Sequence, residues 1–328
     1  MDFSQLPKAE LHLHLDCSLS YEVVKTIDPG ISFDKYRESF VAPPKCTDLA
    51  DYLKRAVKGF QLMQTKENLR LVTLDLFEQL KADHVIYAEI RFAPLLHLQQ
   101  GLEPDEVVNV VNEALKDGVA QTGIEAGIIL CTLRHFSEEQ SLDTVKLVRN
   151  FAGTRVLGFD IAGDEAGFPI AAHRKAFDFA RQQGIPCTAH AGEARGAASV
   201  WETLDHFHPS RIGHGVRSIE DPALMVHLKE KNIHLEVCPT SNIQTNIYET
   251  FEDHSADRIY RSGVSMSINT DCRTISDTTL TNEYHHMEKT FQWTKQHFLQ
   301  CNLQAIEHSF TSTEKKKELK DILRKAYH

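Results

Sequence analysis

A chain of 328 residues, 41% hydrophobic and 25% charged, can bury a sizeable core without disulfides or a partner chain. Its formal net charge of −10 argues against nucleic acid as a partner, because polyanion binding depends on clustered Lys and Arg. The seven cysteines are scattered without a CxxC pair, the N-terminus lacks a basic stretch followed by an apolar core, and no run of about 18 apolar residues is long enough to span a membrane. The expectation is a cytoplasmic protein acting on a small neutral molecule.

In chain order, short apolar or β-branched runs predict strands at 9–15, 85–92, 126–133, 156–161, 186–190, 211–214, 233–237 and 264–269. Helical patterns fall between them at 67–82, 104–118, 139–150, 170–183, 200–207 and 222–231. Strand followed by helix is the mark of a parallel sheet, and eight strands match a closed (β/α)₈ TIM barrel, here as one domain over 1–328. The segment 21–66 is too long for a simple crossover and reads as a helical insertion after strand 1, over the barrel mouth. Residues 280–328 read as extra C-terminal helices, with Lys315, Lys316, Lys317, Lys320 and Arg324 on a solvated face. An open doubly wound sheet is the competing fold, but it calls for a Gly-rich phosphate turn after the first strand. This strand ends instead in His12-Leu13-His14-Leu15-Asp16.

Residues two apart on a strand share a face, so His12 and His14 project together toward the barrel axis, where they can share a metal or serve as hydrogen-bonded core histidines. A second His-x-His, His206 and His208, lies at the end of a helical pattern and reads as surface. Active sites on this fold are built from the C-terminal ends of several strands. The fifth strand ends in His190 with Glu193 three residues on, the sixth in Gly213-His214-Gly215, and the eighth in Asn269-Thr270-Asp271. Imidazole nitrogens with one carboxylate suit Zn²⁺ and leave a position open, as catalytic sites do. Asp160, Asp164 and Glu165, at the end of the fourth strand, read as groups behind that site or at the surface.

Five segments, Leu6 to Asp16, His190-Ala191-Gly192-Glu193, Gly213-His214-Gly215, Cys238-Pro239-Thr240-Ser241-Asn242 and Ser267 to Asp271, together resemble the adenosine deaminase family, in that family's order. The likeness runs from about residue 5 to 328. It implies one zinc per chain on His12, His14, His190 and Asp271, and a catalytic set of Glu193, His214 and Asp271. Glu193 is similar to the proton donor to purine N1, as a carboxyl with a raised pKa can be; its other reading is charge complementarity at a helix N-terminus. His214 matches the histidine that orients the attacking water, although a lone His in such a turn also suits a fourth nitrogen ligand. The purine nucleoside is placed by the likeness against His14, Asp16, which receives the ribose 5′-hydroxyl, and Gly163, whose N–H faces purine N3 because glycine permits close approach. Leu49, Tyr52, Leu53 and Ala56 form one apolar helical stripe, read either as a cover for the nucleoside or as plain core.

The chain departs from the family at Cys17, where glycine is usual, and at Cys272, where the family has Asp or Asn contacting purine N7. A thiol is a weak donor, so these departures leave adenosine, deoxyadenosine, 6-aminodeoxyfutalosine, free adenine and an N6-substituted adenine as candidate substrates, with a pterin less favoured. Two readings of other classes remain: a non-catalytic zinc or nucleoside binder, which has no use for a proton donor, and a two-metal ester or amide hydrolase, which calls for a bridging Lys at a strand end.

Overall fold

Each of the eight predicted strands forms in the computed structural model, which describes residues 2–327: β1 Lys8–His14, β2 Val85–Phe92, β3 Glu125–Leu133, β4 Val156–Ala162, β5 Thr188–Ala191, β6 Arg211–His214, β7 His234–Val237 and β8 Met266–Ile268. All neighbours pair in parallel, in the orders β1-β2-β3-β4 and β5-β6-β7-β8. Two short seams join these halves. At one, Phe159 bridges to Cys187 and its N–H donates to Pro186 O at 3.0 Å. At the other, Leu13 bridges to Asp271, with His14 N–H donating to Asp271 O at 2.8 Å and Asp271 N–H donating to His12 O at 3.0 Å. The side-chain oxygen of Asn269 accepts from Leu11 N–H at 2.9 Å and His12 N–H at 3.2 Å, replacing the ladder that so short a β8 cannot supply. The sheet is thereby closed into the expected barrel.

The helices between strands follow the sequence pattern, with two corrections. The helix expected to stop at Gly118 runs over Pro104–Thr122 and ends at Gly123, which takes the left-handed φ of 75° that a C-cap uses. Gly118 instead lets the helix lie on Phe77, where a Cβ would come within 2.4 Å of the ring. The helix expected from Ile170 begins at Arg174, after a tighter turn at Ala171–His173 that follows Pro169.

The insertion over the barrel mouth is four short helices, Tyr21–Ile27, Phe33–Phe40, Leu49–Leu53 and Ala56–Leu62. The single helical stripe expected through Leu49, Tyr52, Leu53 and Ala56 is therefore divided between two helices. At the break, Lys54 N–H donates to Asp51 O and Arg55 N–H to Tyr52 O, each at 3.3 Å. These bonds to the residue three back tighten the chain into a 3₁₀-like turn, and the Arg55 guanidinium also donates to Asp51 O. Three closing helices, Leu280–Phe291, Lys295–His308 and Thr313–Tyr327, follow β8. Asn302 ties them to the barrel: its oxygen accepts from Ala9 N–H at 2.7 Å and its amide donates to the hydroxyls of Tyr284 and Tyr327 at 2.8 and 3.0 Å.

The barrel interior beneath the mouth carries charge as well as apolar packing. Arg91 on β2 donates to Asp160 on β4 at 2.8 Å and to Glu236 on β7 at 2.7 Å, and Arg211 on β6 pairs with Glu236 at 2.7 Å and Glu89 at 2.6 Å. All five side chains are fully buried. Ions taken out of water are tolerated when paired, and removing one partner leaves the other uncompensated. Arg91→Met, of similar length, is therefore expected to lower unfolding free energy by about 3–5 kcal/mol in a denaturant titration; a change below about 1 kcal/mol would show that Asp160 and Glu236 do not depend on it.

Candidate metal centre and active-site cavity

The C-terminal ends of β1, β5 and β6 and the turn after β8 deliver His12 and His14, His190, His214 and Asp271 to one point. One donor atom from each of His12, His190, His214 and Asp271 falls within 4.8 Å of the others. His14 belongs to the same cluster, with its Nε2 3.2 Å from His190 Nε2 and 3.4 Å from Asp271 Oδ1. The approach is tight enough to require glycine at 213, where a Cβ would meet the His12 ring at 2.9 Å. His214 and Asp271 both hold left-handed backbone, with φ of 60° and 65°, a conformation that non-glycine residues keep when the surrounding structure enforces it.

The imidazoles are oriented from behind. His12 Nδ1–H donates to Glu236 at 2.9 Å and His190 Nδ1–H to Asp160 at 3.1 Å, so the Nε2 lone pair of each faces the cluster, the usual arrangement behind a ligating histidine. His12 Nε2 is buried with no hydrogen-bond partner. Ser241 Oγ donates to Asp271 Oδ2 at 2.7 Å, leaving Oδ1 3.4 Å from both His12 Nε2 and His14 Nε2. Burial pushes the pKa of His14, His190 and His214 below the usual value. His12 moves up: against burial and Arg91, it faces the carboxylates Asp271 and Glu236. Carboxylates that favour a proton there favour a metal cation there too, and the orphaned Nε2 fits one.

Asp160 and Glu165, left open between a supporting place and the surface, are both buried. Glu165 accepts four consecutive main-chain N–H groups, from Gly192 at 2.8 Å, Glu193 at 3.1 Å, Ala194 at 2.6 Å and Arg195 at 2.8 Å, and the Ser199 hydroxyl at 2.6 Å. This cradle fixes the turn that carries Glu193. The following helix starts at Ala197 with no acidic residue in its first turn, so Glu193 is not a helix N-terminal charge. Its carboxyl is buried, and burial together with the nearby charges of Glu165 and Asp271 pushes its pKa well above the usual carboxylate range. It lies 3.2 Å from His214 Nε2.

A cavity of about 330 Å³ opens above this cluster. It is lined by every candidate residue named from the sequence as touching substrate or metal, except His12, which is covered from behind. Asp16 is in the wall, its carboxyl pushed up to about 6 by burial. Gly163 is in the wall with φ of 98°, and a Cβ there would meet nothing closer than 3.5 Å. The left-handed backbone, not crowding, requires glycine at this position. Leu49, Tyr52, Leu53 and Ala56 all reach the cavity, and Val57 and Phe60 on the second helix extend their apolar face. Cys17 and Cys272 pack in a small cluster with Leu49, Tyr52 and Ile275, the Cys272 thiol 3.6 Å from Asp271 Oδ1. His208 is exposed and His206 half-buried, away from the cavity lining.

Sequence reasoning did not find Arg91 or Glu236 and assigned no role to Ser241 or Asn242. Charged residues alternating with apolar ones, Glu89 and Arg91 in β2 and Glu236 in β7, were the available signal.

A family model described as adenosine deaminase matches residues 7–326. An adenosine deaminase from Enterococcus faecalis is 37% identical, with 98% of this chain and 97% of that protein covered. One from Clostridium acetobutylicum is 35% identical over 96% of each. Among solved structures, an adenine deaminase from Arthrobacter aurescens is similar with a TM-score of 0.90 at 26% identity, covering 98% of both chains. An N6-mAMP deaminase from Arabidopsis, at 24% identity, shares the fold with a TM-score of 0.88 over 99% of both.

Proposed function

The chain belongs to the adenosine deaminase family and is a hydrolytic deaminase, and from that premise we propose that one zinc ion per chain, held by His12, His14, His190 and Asp271, serves the conversion of adenosine and deoxyadenosine to the inosine product and ammonia. When bound, Zn²⁺ lowers the pKa of a water from about 15.7 toward 7 and so supplies a nucleophile at neutral pH. The observation that carries this reading is a buried Glu193 carboxyl 3.2 Å from His214, facing the same cavity as the metal cluster, with its pKa raised by burial and by the nearby charges of Glu165 and Asp271. Glu193 protonates purine N1, which draws electrons from C6. His214 orients the attacking oxygen and stabilises charge at C6, Asp271 faces the reacting centre as well as the metal, and Gly163 N–H holds N3. Asp16 takes the ribose 5′-hydroxyl, His14 borders the substrate, and Leu49, Tyr52 and Leu53 shield it from water.

No Lys or Arg among the described residues lines the cavity, which supports a neutral nucleoside over a phosphorylated one. A single domain over 1–328 is part of the proposal, although Met1 and His328 lie outside the described residues. So is the cytoplasm, supported by seven free cysteines; no helix of the described residues is long and apolar enough to cross a membrane. Incubation with adenosine, deoxyadenosine, adenine and 6-aminodeoxyfutalosine, following loss of the amino-purine absorbance, tests the reading. Adenosine is expected to turn over fastest, in protein carrying one zinc. Two metals per chain would favour an ester or amide hydrolase instead, and zinc-loaded protein inert toward all four would favour a binder.

The thiols at Cys17 and Cys272 favour a second reading within the same chemistry, a related 6-aminopurine such as adenine or an N6-substituted adenine, and the same assay with an N6-substituted adenine added decides it. If the Cys272 S–H donates to N7, the bond is weak, at the low end of about 0.5–1.5 kcal/mol. Cys272→Ala is then expected to cost about tenfold or less in kcat/KM for adenosine, and Cys272→Asn to match or exceed the natural enzyme. A loss above about a hundredfold in Cys272→Ala exceeds one neutral hydrogen bond and would mean that Cys272 acts through its neighbour Asp271.

A further inference from the structure

Five side chains reach the metal cluster, yet the proposed zinc site uses four of them, His12, His14, His190 and Asp271, so something distinguishes His214 from the other imidazoles. We infer that Asn242 and His254 are positioning residues that fix the proton of His214 on Nε2, making it a hydrogen-bond donor toward the cavity and leaving the metal to His12, His14 and His190. The inference rests on the proposed zinc site and selects among its candidate ligands.

The chain of bonds has one self-consistent polarity. Ala256 N–H lies 3.0 Å from His254 Nδ1. A main-chain amide only donates, so this nitrogen accepts, and a neutral His254 carries its proton on Nε2. Burial keeps the ring neutral, lowering its pKa to about 3. His254 Nε2–H donates to Asn242 Oδ1 at 3.2 Å, which fixes the orientation of the Asn242 amide; the flipped amide would set donor against donor. Asn242 Nδ2 then faces His214 Nδ1 at 3.1 Å. An amide NH₂ only donates, so His214 Nδ1 accepts and the proton of the neutral ring is on Nε2, 3.2 Å from Glu193.

His12 and His190 are set the other way. Each has a carboxylate behind it, Glu236 and Asp160, which accepts Nδ1–H and turns a bare Nε2 toward the cluster. An acceptor behind the ring makes a ligand, and a donor behind it makes an N–H. His14 has no partner that forbids a bare Nε2, and that atom is already 3.2 Å from His190 Nε2.

The test is the tautomer itself, read from long-range ¹⁵N–¹H correlation spectra of histidine-labelled protein, with and without zinc and without substrate. His214, assigned by the resonances lost in His214→Gln, is expected as the Nε2–H form in both samples. A bare Nε2 on His214, or a zinc-dependent shift of that nitrogen typical of ligation, overturns the inference even if adenosine is deaminated. Conversely, an inert protein with the expected tautomer refutes the function and leaves the relay standing. His254→Leu removes the donor that orients Asn242 and is expected to lose the single tautomer and about 10- to 100-fold in kcat, with little change in KM or zinc content. His254→Gln, whose amide can donate to Asn242 Oδ1 in place of Nε2–H, is expected to restore the tautomer and most of that loss. An unchanged His214 spectrum in folded His254→Leu also overturns it. If that variant does not fold, the wild-type spectra decide.

Discussion

Asp271→Ala and His190→Ala are each expected to leave the chain without bound zinc and without measurable deaminase activity. Asp271 Oδ1 stands 3.4 Å from both His12 and His14, so its removal takes away the one carboxylate that balances the cation among neutral imidazoles. His190 supplies an Nε2 that lies 3.2 Å from that of His14. An incomplete shell binds zinc far more weakly. Asp271→Ala also removes the short polar side chain that eases a left-handed backbone, here at φ of 65°, and this lowers stability by itself. His190→Ala carries no such backbone cost and isolates the metal effect. Zinc per chain after dialysis, measured by elemental analysis on folded protein, is expected to fall from roughly one to none. Full occupancy in both variants would remove these residues from the ligand set.

Glu193→Gln is expected to retain zinc and lose about 10²–10⁴ in kcat, the contribution of a positioned proton transfer. The replacement is nearly the same size, and the turn it occupies is held by Glu165 through main-chain N–H groups, which the substitution leaves in place. Only the transferable proton is removed. Because burial, Glu165 and Asp271 raise the carboxyl pKa in the folded protein, the acid form is present below that raised pKa. Activity that depends on it is therefore lost as pH rises through it, and that alkaline limb should disappear from what remains in Glu193→Gln. Turnover near that of the natural enzyme would assign the acid to another residue.

All eight strands were legible because each is a short apolar run between turn signals, and six of them lead into a helical pattern. What escaped was set by pairings between distant strands. Arg91 and Glu236 are 145 residues apart, and each alone resembles the polar residue of an alternating strand. Glu165 gains its meaning from amides 27 to 30 residues further on, and Asn242 from an imidazole 28 residues back. The stripe from Leu49 to Ala56 shows the opposite case. Its spacing fits a helix and its side chains do share the cavity, yet the tightened turn at Lys54 and Arg55 breaks the helix without moving the apolar face.

The seam between β8 and β1 has a kinetic consequence. It is made by Asn269 and by the main chain of Asp271, pairing residues 257 to 259 positions apart, so its closure spans most of the chain. Contacts of such sequence separation form late, since chain entropy is lost before they return any stability. Asp271, proposed to complete the metal site, also helps to close the barrel, so catalytic competence requires this seam to be formed. A chain arrested before closure, however much of its sheet it has built, holds its imidazoles without their carboxylate and has no partial activity to lose.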